Sequence, residues 1–393
     1  MSDAAEPPEP DRVPGHPHPR ETPRLFGQEA AEKGFLTAWA DERLHHAWLL
    51  RGPRGIGKAT LAYRIARALI ADGPGPKQAD GKQAGGLSGP GSELAAPATL
   101  DAPQGCPVAT RIRARSEPCL AVLRRTVNDK TGRLRGQIVV DDVRAVRRFL
   151  SLSAADGGWR AVIIDAADEM NRSAANALLK VLEEPPARTA LLLVAHSPAA
   201  LLATIRSRCR TLDLRPLGPA ELSAALAQAG APVVAEEAGP LALIAGGSVG
   251  EALRLSAGGG VALYGRLVAL LGGGGGVERS GMMELAEQVT GRGAEAIYEL
   301  VARLTLTLIG RLARHAATGS SAGFSAAEAG PGEAALMAAV ARNRAQAALW
   351  AEAAARVAAA TSHARAVNLD PGLTIIDTFL DLDATLTRAR AVA

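Results

Sequence analysis

Residues 51–60 read Arg-Gly-Pro-Arg-Gly-Ile-Gly-Lys-Ala-Thr, and this stretch decides the fold. From Gly52 through Lys58 it fits the phosphate-binding pattern G-x-x-x-x-G-K. Glycines in such a loop let backbone N–H groups close on phosphate oxygens, and the lysine brings a positive charge to the β/γ end. We therefore predict a nucleotide-phosphate site formed by Gly52, Gly55, Gly57 and Lys58.

The position after this lysine lacks the hydroxyl group that the pattern requires for Mg²⁺. It is occupied by Ala59. Thr60 is a poor substitute, because one step along a helix turns a side chain by about 100°. The loop can therefore cradle a phosphate group but lacks a part that hydrolysis needs. The alternative is a vestigial loop that packs and binds nothing.

The segments on either side of the loop predict a parallel α/β sheet. A short apolar strand at 48–50 leads into the loop, and a helix at 59–71 begins on it. Apolar strands at 161–164 and 191–194 then alternate with a helix at 173–183. This alternation indicates a parallel sheet with helices on both faces.

The composition is that of an ordinary globular protein. The 393 residues are 48% hydrophobic and carry a net charge of +4, so the charge does not demand a nucleic-acid partner. No apolar run reaches the roughly 18 residues that span a bilayer, and the proline-rich start lacks the order of a signal peptide. Three cysteines without a C-x-x-C pair argue against a disulfide scaffold. We therefore expect a reduced, cytoplasmic protein with no membrane partner.

A second candidate site residue ends the apolar strand at 161–164. Asp165 occupies the position at which a Walker B aspartate helps to hold Mg²⁺. An active ATPase of the oligomeric-ring type would follow it with a glutamate that polarises the attacking water. Here the next residue is Ala166. A helix-capping or solvated carboxylate is the alternative role for Asp165.

Two specific stretches follow this strand, the run N-A-L-L-K-x-L-E-E-P-P and the triplet S-R-C. The residues that carry a family resemblance are Gly27-Gln28, Gly52 to Lys58, Asp165, residues 176–186 and Ser207-Arg208-Cys209. On these residues, the segment 24–257 resembles the clamp-loader subunits of the AAA+ class. The resemblance is weaker in the C-terminal third.

The resemblance implies the fold and the order of the domains. We expect an α/β P-loop domain of the RecA-like AAA+ type, a small helical lid and an all-α collar. The expected layout is a disordered tail at 1–22, a P-loop domain at 23–216 with a flexible insertion at 72–105, a lid at 217–258, and an oligomerising collar at 262–393.

The resemblance also implies a function and a set of partners. Such subunits form a ring that opens the sliding clamp and places it on primed DNA, so the expected partners are tau/gamma and delta clamp-loader subunits, the clamp and, through the complex, DNA. Arg208 matches the family's arginine finger, which reaches into the ATP site of the adjacent subunit. A rigid guanidinium that neutralises a transferring phosphoryl group accelerates hydrolysis by about 10³–10⁵ in related systems. The alternative is an ordinary surface arginine.

A third side chain that ATP hydrolysis uses is missing at Gly250, which stands where motor subunits of the family carry a sensor arginine. The alternative is an ordinary glycine-rich helix start. Together with Ala59 and Ala166, this glycine indicates a subunit that supports the ring without hydrolysing ATP. We expect no required cofactor, although Lys58 leaves room for weak ATP or ADP binding.

Two further features give negative or open predictions. Family members often hold zinc with four cysteines before the Walker B strand, whereas only Cys106 and Cys119 lie there, so we predict no metal. Cys209 is expected to pack within its triplet.

Residues 111–148 contain eleven basic and four acidic residues. Contact with a DNA backbone and a solvated helix surface are both compatible with that charge.

Two rival functions follow from the same residues. One is an ATP-hydrolysing clamp-loader subunit of the tau/gamma kind, which would need a hydroxyl after Lys58 and an acid after Asp165. The other is an unrelated P-loop binding module. Turnover by the isolated chain would favour the first, and failure to purify with clamp-loader subunits would favour the second.

Overall fold

A computed structural model gives the fold. It describes residues 9–41, 44–72, 97–103, 105–128, 131–132, 134–151, 158–291, 293–319 and 328–392. Most of the predicted insertion at 72–105 lies outside the described residues.

A five-stranded parallel sheet organises the N-terminal part of the chain. The strands are β1 (Ala47–Arg51), β2 (Leu120–Leu123), β3 (Arg160–Asp165), β4 (Thr189–Ala195) and β5 (Arg210–Asp213). Their spatial order is β2-β3-β4-β1-β5, and every neighbouring pair is parallel.

Helices pack on this sheet and supply the regular secondary structure of the later described residues. Those of the N-terminal part are α1 (Glu29–Ala40), α2 (Lys58–Asp72), α3 (Pro107–Arg113), α4 (Val140–Ser151), α5 (Arg172–Glu183), α6 (Ala203–Arg206) and α7 (Pro219–Gln228). The later helices are α8 (Ala235–Ile244), α9 (Val249–Ala257), α10 (Gly260–Gly272), α11 (Arg279–Gln288), α12 (Glu295–Thr318), α13 (Glu333–Val340), α14 (Arg344–Val367) and α15 (Pro371–Ala391). The predicted fold class, a parallel α/β P-loop domain followed by a helical region, is confirmed.

Burial explains which strands the sequence predicts. Every residue of β3 and β4 is buried, as expected for near-continuous apolar runs between two helical layers. β2 and β5 form the two edges and are only partly buried. The sequence predicts neither edge strand, because β2 (LAVL) is an apolar run of only four residues and β5 (RTLD) carries polar residues, so neither shows a clear periodicity.

The predicted disorder of the N-terminal tail is wrong for residues 9–22. His18 is fully buried and its ring contacts Tyr63 of α2 edge-on, with 5.7 Å between the centroids. The Glu9 carboxylate accepts a hydrogen bond from Arg20 at 2.8 Å and pairs with Arg124 at 3.0 Å. A proline-rich composition predicts disorder only where its charged side chains find no partners. Residues 1–8 of the predicted tail lie outside the described residues.

The described chain divides into two compact units. The first contains residues 1–230 and 248–250, and the second contains 231–247 and 251–393. The division thus falls inside the predicted lid. In the second unit, Val301, Leu304 and Leu308 of α12 are buried, whereas Ile297 at the start of the helix is 44% exposed.

Among the described residues, no single helix is long and apolar enough to cross a membrane. The bent pair α9 and α10 meets the length and composition criteria together, at an angle of 81°.

Candidate functional site

The phosphate loop lies at the centre of the sheet, directly after β1. β1 pairs with β4 on one side and with β5 on the other, so the chain reverses its direction of winding there. In open α/β sheets, ligands bind at the carboxyl ends of the strands beside such a switch point. The loop and the end of β3 both lie at this edge, which we call the carboxyl edge.

The three loop glycines all adopt left-handed backbone conformations. Their φ angles are +144° at Gly52, +77° at Gly55 and +99° at Gly57. Gly55 is also closely approached, because its carbonyl accepts a hydrogen bond from the Gly250 amide at 3.1 Å. A Cβ atom at Gly55 would lie 2.3 Å from the Ser248 hydroxyl oxygen and 3.1 Å from the Gly250 nitrogen. Glycine is therefore required there by both conformation and space.

Lys58 begins α2 and is almost fully buried. Its Nζ donates a hydrogen bond to the Gly52 carbonyl at 2.7 Å and another to the Pro53 carbonyl. Burial lowers the pKa of Lys58 to about 8, against the opposing effect of the nearby Asp165 charge. In this arrangement the ammonium group bonds to the carbonyls of its own loop, which a phosphate group would have to replace.

Asp165 ends β3 at the same edge and is 8% exposed. Burial raises the pKa of this carboxyl to about 7; the Asp11 charge adds to the rise and the Lys58 charge opposes it. Sequence reasoning placed Asp165 beside the loop but missed Asp11, because the N-terminal segment was predicted to be disordered.

Two more polar residues lie at this edge, and sequence reasoning assigned neither to the site. The Asp168 carboxylate accepts hydrogen bonds from the amides of His196 and Ser197, at 3.1 and 2.7 Å, and so holds the loop that follows β4. Burial lowers the pKa of His196 to about 4, and the Lys58 charge acts in the same direction. His196 directly follows a fully buried strand, and this is the signal that could have identified it.

The residues present fit a phosphate group better than they fit catalysis. The loop supplies the glycine backbone and an ammonium group, but Ala59 offers no hydroxyl and the buried Ala166 no carboxylate. Among the described residues, no group of three or more His, Cys, Asp or Glu side chains could hold a metal ion. Among the described residues, Cys106, Cys119 and Cys209 form no disulfide, and burial raises the pKa of Cys209 to about 12. The absence of a zinc site stays a prediction.

Arg208 lies far from this loop. It precedes β5, whose Arg210 is in register with Trp48 at the start of β1, whereas the phosphate loop follows the end of β1. With a rise of about 3.3 Å per residue, the strand alone separates the two levels by roughly 10–13 Å. Arg208 therefore lies at the opposite, amino edge of the sheet. Its side chain is 38% exposed.

Five of the eleven basic residues at 111–148 form ion pairs with acidic residues of the same chain. The ion pairs are Arg111–Glu117, Arg115–Glu9, Arg124–Asp11, Arg125–Glu169 and Arg144–Asp141, at 2.6 to 2.9 Å. These pairs favour a structural role for much of the charge. Contact with DNA stays a prediction.

Comparison with known proteins shows which proteins this chain resembles. Residues 95–218 match the family model described as DNA polymerase III, delta subunit. The chain is 37% identical over 164 residues to the DNA polymerase III subunit delta' of Pseudomonas aeruginosa, a match that covers 42% of this chain and 41% of the relative. It is 29% identical over 228 residues to the DNA polymerase III subunit gamma/tau of Mycobacterium bovis, covering 57% and 34%.

The chain is also similar to a solved structure, that of the Thermotoga maritima RuvB Holliday junction branch migration motor. The match covers 69% of this chain and 79% of that one, with 17% sequence identity and a TM-score of 0.36. The matches to the curated relatives span less than half of those relatives' lengths. The chain is thus similar to delta' subunits of DNA polymerase III over part of its length, and its residues 95–218 match the model of the delta-subunit family.

Proposed function

We propose that this chain is the delta'-type subunit of a DNA polymerase III clamp loader, and that it helps to load the sliding clamp onto primed DNA. The observation that carries the proposal is the separation of Arg208 from the chain's own phosphate loop. An arginine at the opposite edge of the sheet cannot reach a phosphate group bound at Lys58. A neighbouring subunit that docks on the amino edge would place its own nucleotide within reach of Arg208.

Charge and exposure at this edge support a role in trans. The Arg208 side chain is 38% exposed, and Ser207 beside it is also exposed. A planar guanidinium can form two parallel hydrogen bonds to phosphoryl oxygens and neutralise the charge that develops there. We therefore assign Arg208 as an arginine finger for an adjacent ATPase subunit.

We further propose that the chain does not hydrolyse ATP and requires no cofactor of its own. Ala59, Ala166 and Gly250 stand at three positions that hydrolysis would use. Lys58 and the three glycines would hold the phosphates of a weakly bound ATP or ADP, whose phosphate groups would supply the negative charge that the loop attracts. The loop glycines and the buried lysine then act mainly as structure.

The proposed partners are the tau/gamma and delta subunits, the sliding clamp and, through the complex, primed DNA. The similarity to subunits named delta' and gamma/tau supports this assignment. It also favours a clamp-loader subunit over an unrelated P-loop module. Purification of the chain without either partner from a mixture containing both would argue for the unrelated module.

The test is reconstitution of the complex with tau/gamma and delta subunits, comparing wild type with Arg208→Ala. We expect normal assembly and a loss of DNA-stimulated ATP hydrolysis at the site that Arg208 serves, by about 10³-fold at that site. Arg208→Lys should behave like the alanine variant, because an ammonium group lacks the bidentate geometry. Arg172→Ala, which removes an exposed arginine at the start of α5, serves as the matched control. An unchanged rate in Arg208→Ala would remove the finger role.

The rival function is ATP hydrolysis by the chain itself, as in a tau/gamma-type subunit. The 29% identity to a gamma/tau subunit is the observation in its favour. We expect no turnover by the isolated chain above the background of a Lys58→Ala variant. Turnover that disappears in Lys58→Ala would establish the rival.

A further inference from the structure

The guanidinium of Arg208 is already bound within its own chain. One terminal nitrogen, Nη2, lies 2.9 Å from Oε1 of Glu183. The other, Nη1, donates a hydrogen bond to the Thr204 carbonyl at 3.0 Å. Both nitrogens that a phosphoryl group would use therefore have partners in the isolated chain.

Glu183 is carried on a helix whose two ends are fixed. Asn171 caps the start of α5, where its side-chain oxygen accepts a hydrogen bond from the Ala174 amide at 2.9 Å. At the other end, His46 Nε2 lies 2.9 Å from the carbonyl oxygen of Leu182, and the Leu182 side chain is buried. The helix backbone that carries the Glu183 side chain is thus fixed at both ends, and Glu183 does not belong to a freely moving segment.

A carboxylate in this position competes with a phosphate group for the same guanidinium. The carboxylate is planar and the phosphate group is tetrahedral, but both anions bind the terminal nitrogens of a guanidinium through charge-assisted hydrogen bonds. The negative charge of Glu183 would in addition repel an approaching phosphoryl group. Both effects oppose engagement of Arg208 and act in the same direction.

We propose that Glu183 is a positioning residue that holds Arg208 in a resting pose until the neighbouring nucleotide displaces it. This inference rests on the proposed finger role of Arg208. The Glu183 side chain is 48% exposed and that of Arg208 38%, so solvent weakens the pair. Such partly exposed pairs support an effect of about two- to fivefold on the balance between the resting and engaged poses. Glu183 is therefore a modest brake on hydrolysis in the absence of DNA.

The experiment measures ATP hydrolysis by the reconstituted complex, with and without primed DNA, for Glu183→Gln. We expect the DNA-free rate to rise by about two- to fivefold. The DNA-stimulated rate should change less, because DNA-bound complexes already engage the finger, so the stimulation ratio falls. Glu184→Gln, which alters the next carboxylate along the chain, is the matched control and should leave the ratio unchanged.

The double variant Glu183→Gln/Arg208→Ala separates this inference from the proposed function. If Glu183 acts through Arg208, the double variant should hydrolyse ATP at the rate of Arg208→Ala alone. A rise in the Arg208→Ala background, or no rise in the wild-type background, overturns the role of Glu183 while leaving the finger role intact. If Arg208→Ala itself has no effect, both proposals fail.

A second variant covers the case in which Glu183→Gln fails to assemble. Glu183→Asp keeps the charge but shortens the side chain by one methylene group, and should give a smaller rise in the DNA-free rate. A DNA-free rate in Glu183→Asp equal to wild type or lower would then overturn the inference.

Discussion

At the scale of single residues, contacts from the same chain hold the phosphate loop. Lys58 donates hydrogen bonds to loop carbonyls, and the Gly250 amide donates to Gly55. That Gly250 replaces the sensor arginine of a motor subunit stays a prediction. The structure shows that its backbone packs on the loop.

Substitution of Gly55 should show how tightly this contact is built. Gly55 and Gly230 share a φ of +77°, but a Cβ at Gly230 would meet nothing within 4 Å. Gly230→Ala should cost only the strain of a left-handed residue, about 1–2 kcal/mol. Gly55→Ala should cost about 1–3 kcal/mol more, because the backbone of Gly250 must also move. Urea midpoints of the two variants measure the difference, and equal losses would show that the contact is loose.

At the scale of elements, the N-terminal segment 9–22 behaves as an ordered arm although it contains no helix or strand. Its acidic residues pair with arginines that follow or precede β2, and His18 packs on α2. The arm also brings Asp11 close enough to affect the pKa of Asp165. A segment without regular structure thus contributes to the electrostatics of the candidate site.

The arm should give stability that disappears at acid pH. Burial alone would raise the pKa of Glu9, but hydrogen bonds from Arg20 and Arg124 outweigh it and lower the pKa to about 2. A lowered pKa means that the folded chain gains stability above the unfolded value of about 4.5 and loses it as the pH falls towards 2.

Glu9→Gln should therefore lower stability by about 2–3 kcal/mol at pH 7. The difference from wild type should shrink between pH 4.5 and pH 2. Urea midpoints at pH 7, 5 and 3 test this, and hydrogen exchange of residues 9–22 locates the change. A difference that does not depend on pH would show that the Glu9 charge does not hold the arm.

At the scale of the whole molecule, each of the two units has its own core. The helical unit contains a buried polar cluster around Glu333, which is fully buried. Its carboxylate accepts hydrogen bonds from Tyr264 Oη, Arg311 Nε and the Ala329 amide, each at 2.6 Å. The cluster ties α10, α12 and α13 together inside this unit.

Glu333→Gln should destabilise the helical unit by about 3–5 kcal/mol, because it leaves the buried Arg311 charge without its counter-charge. Glu299→Gln, which breaks a more exposed pair with Arg365 in the same unit, should cost less than about 1 kcal/mol. Hydrogen exchange resolved by segment measures both effects. Protection in the five-strand sheet should stay unchanged, and a loss there as large as that in α12 would show that the units unfold as one.

The sequence by itself determined the parts of this protein that depend on neighbouring residues. The glycine loop, the buried strands β3 and β4, and the missing groups at Ala59 and Ala166 are visible because spacing and apolar runs are local properties. Only the tertiary structure decided the edge strands, the order of the arm and the pairing of Arg208 with Glu183. These features depend on contacts between residues that are far apart in the chain. Such contacts are determined by tertiary packing, and the local periodicity of the sequence does not indicate them.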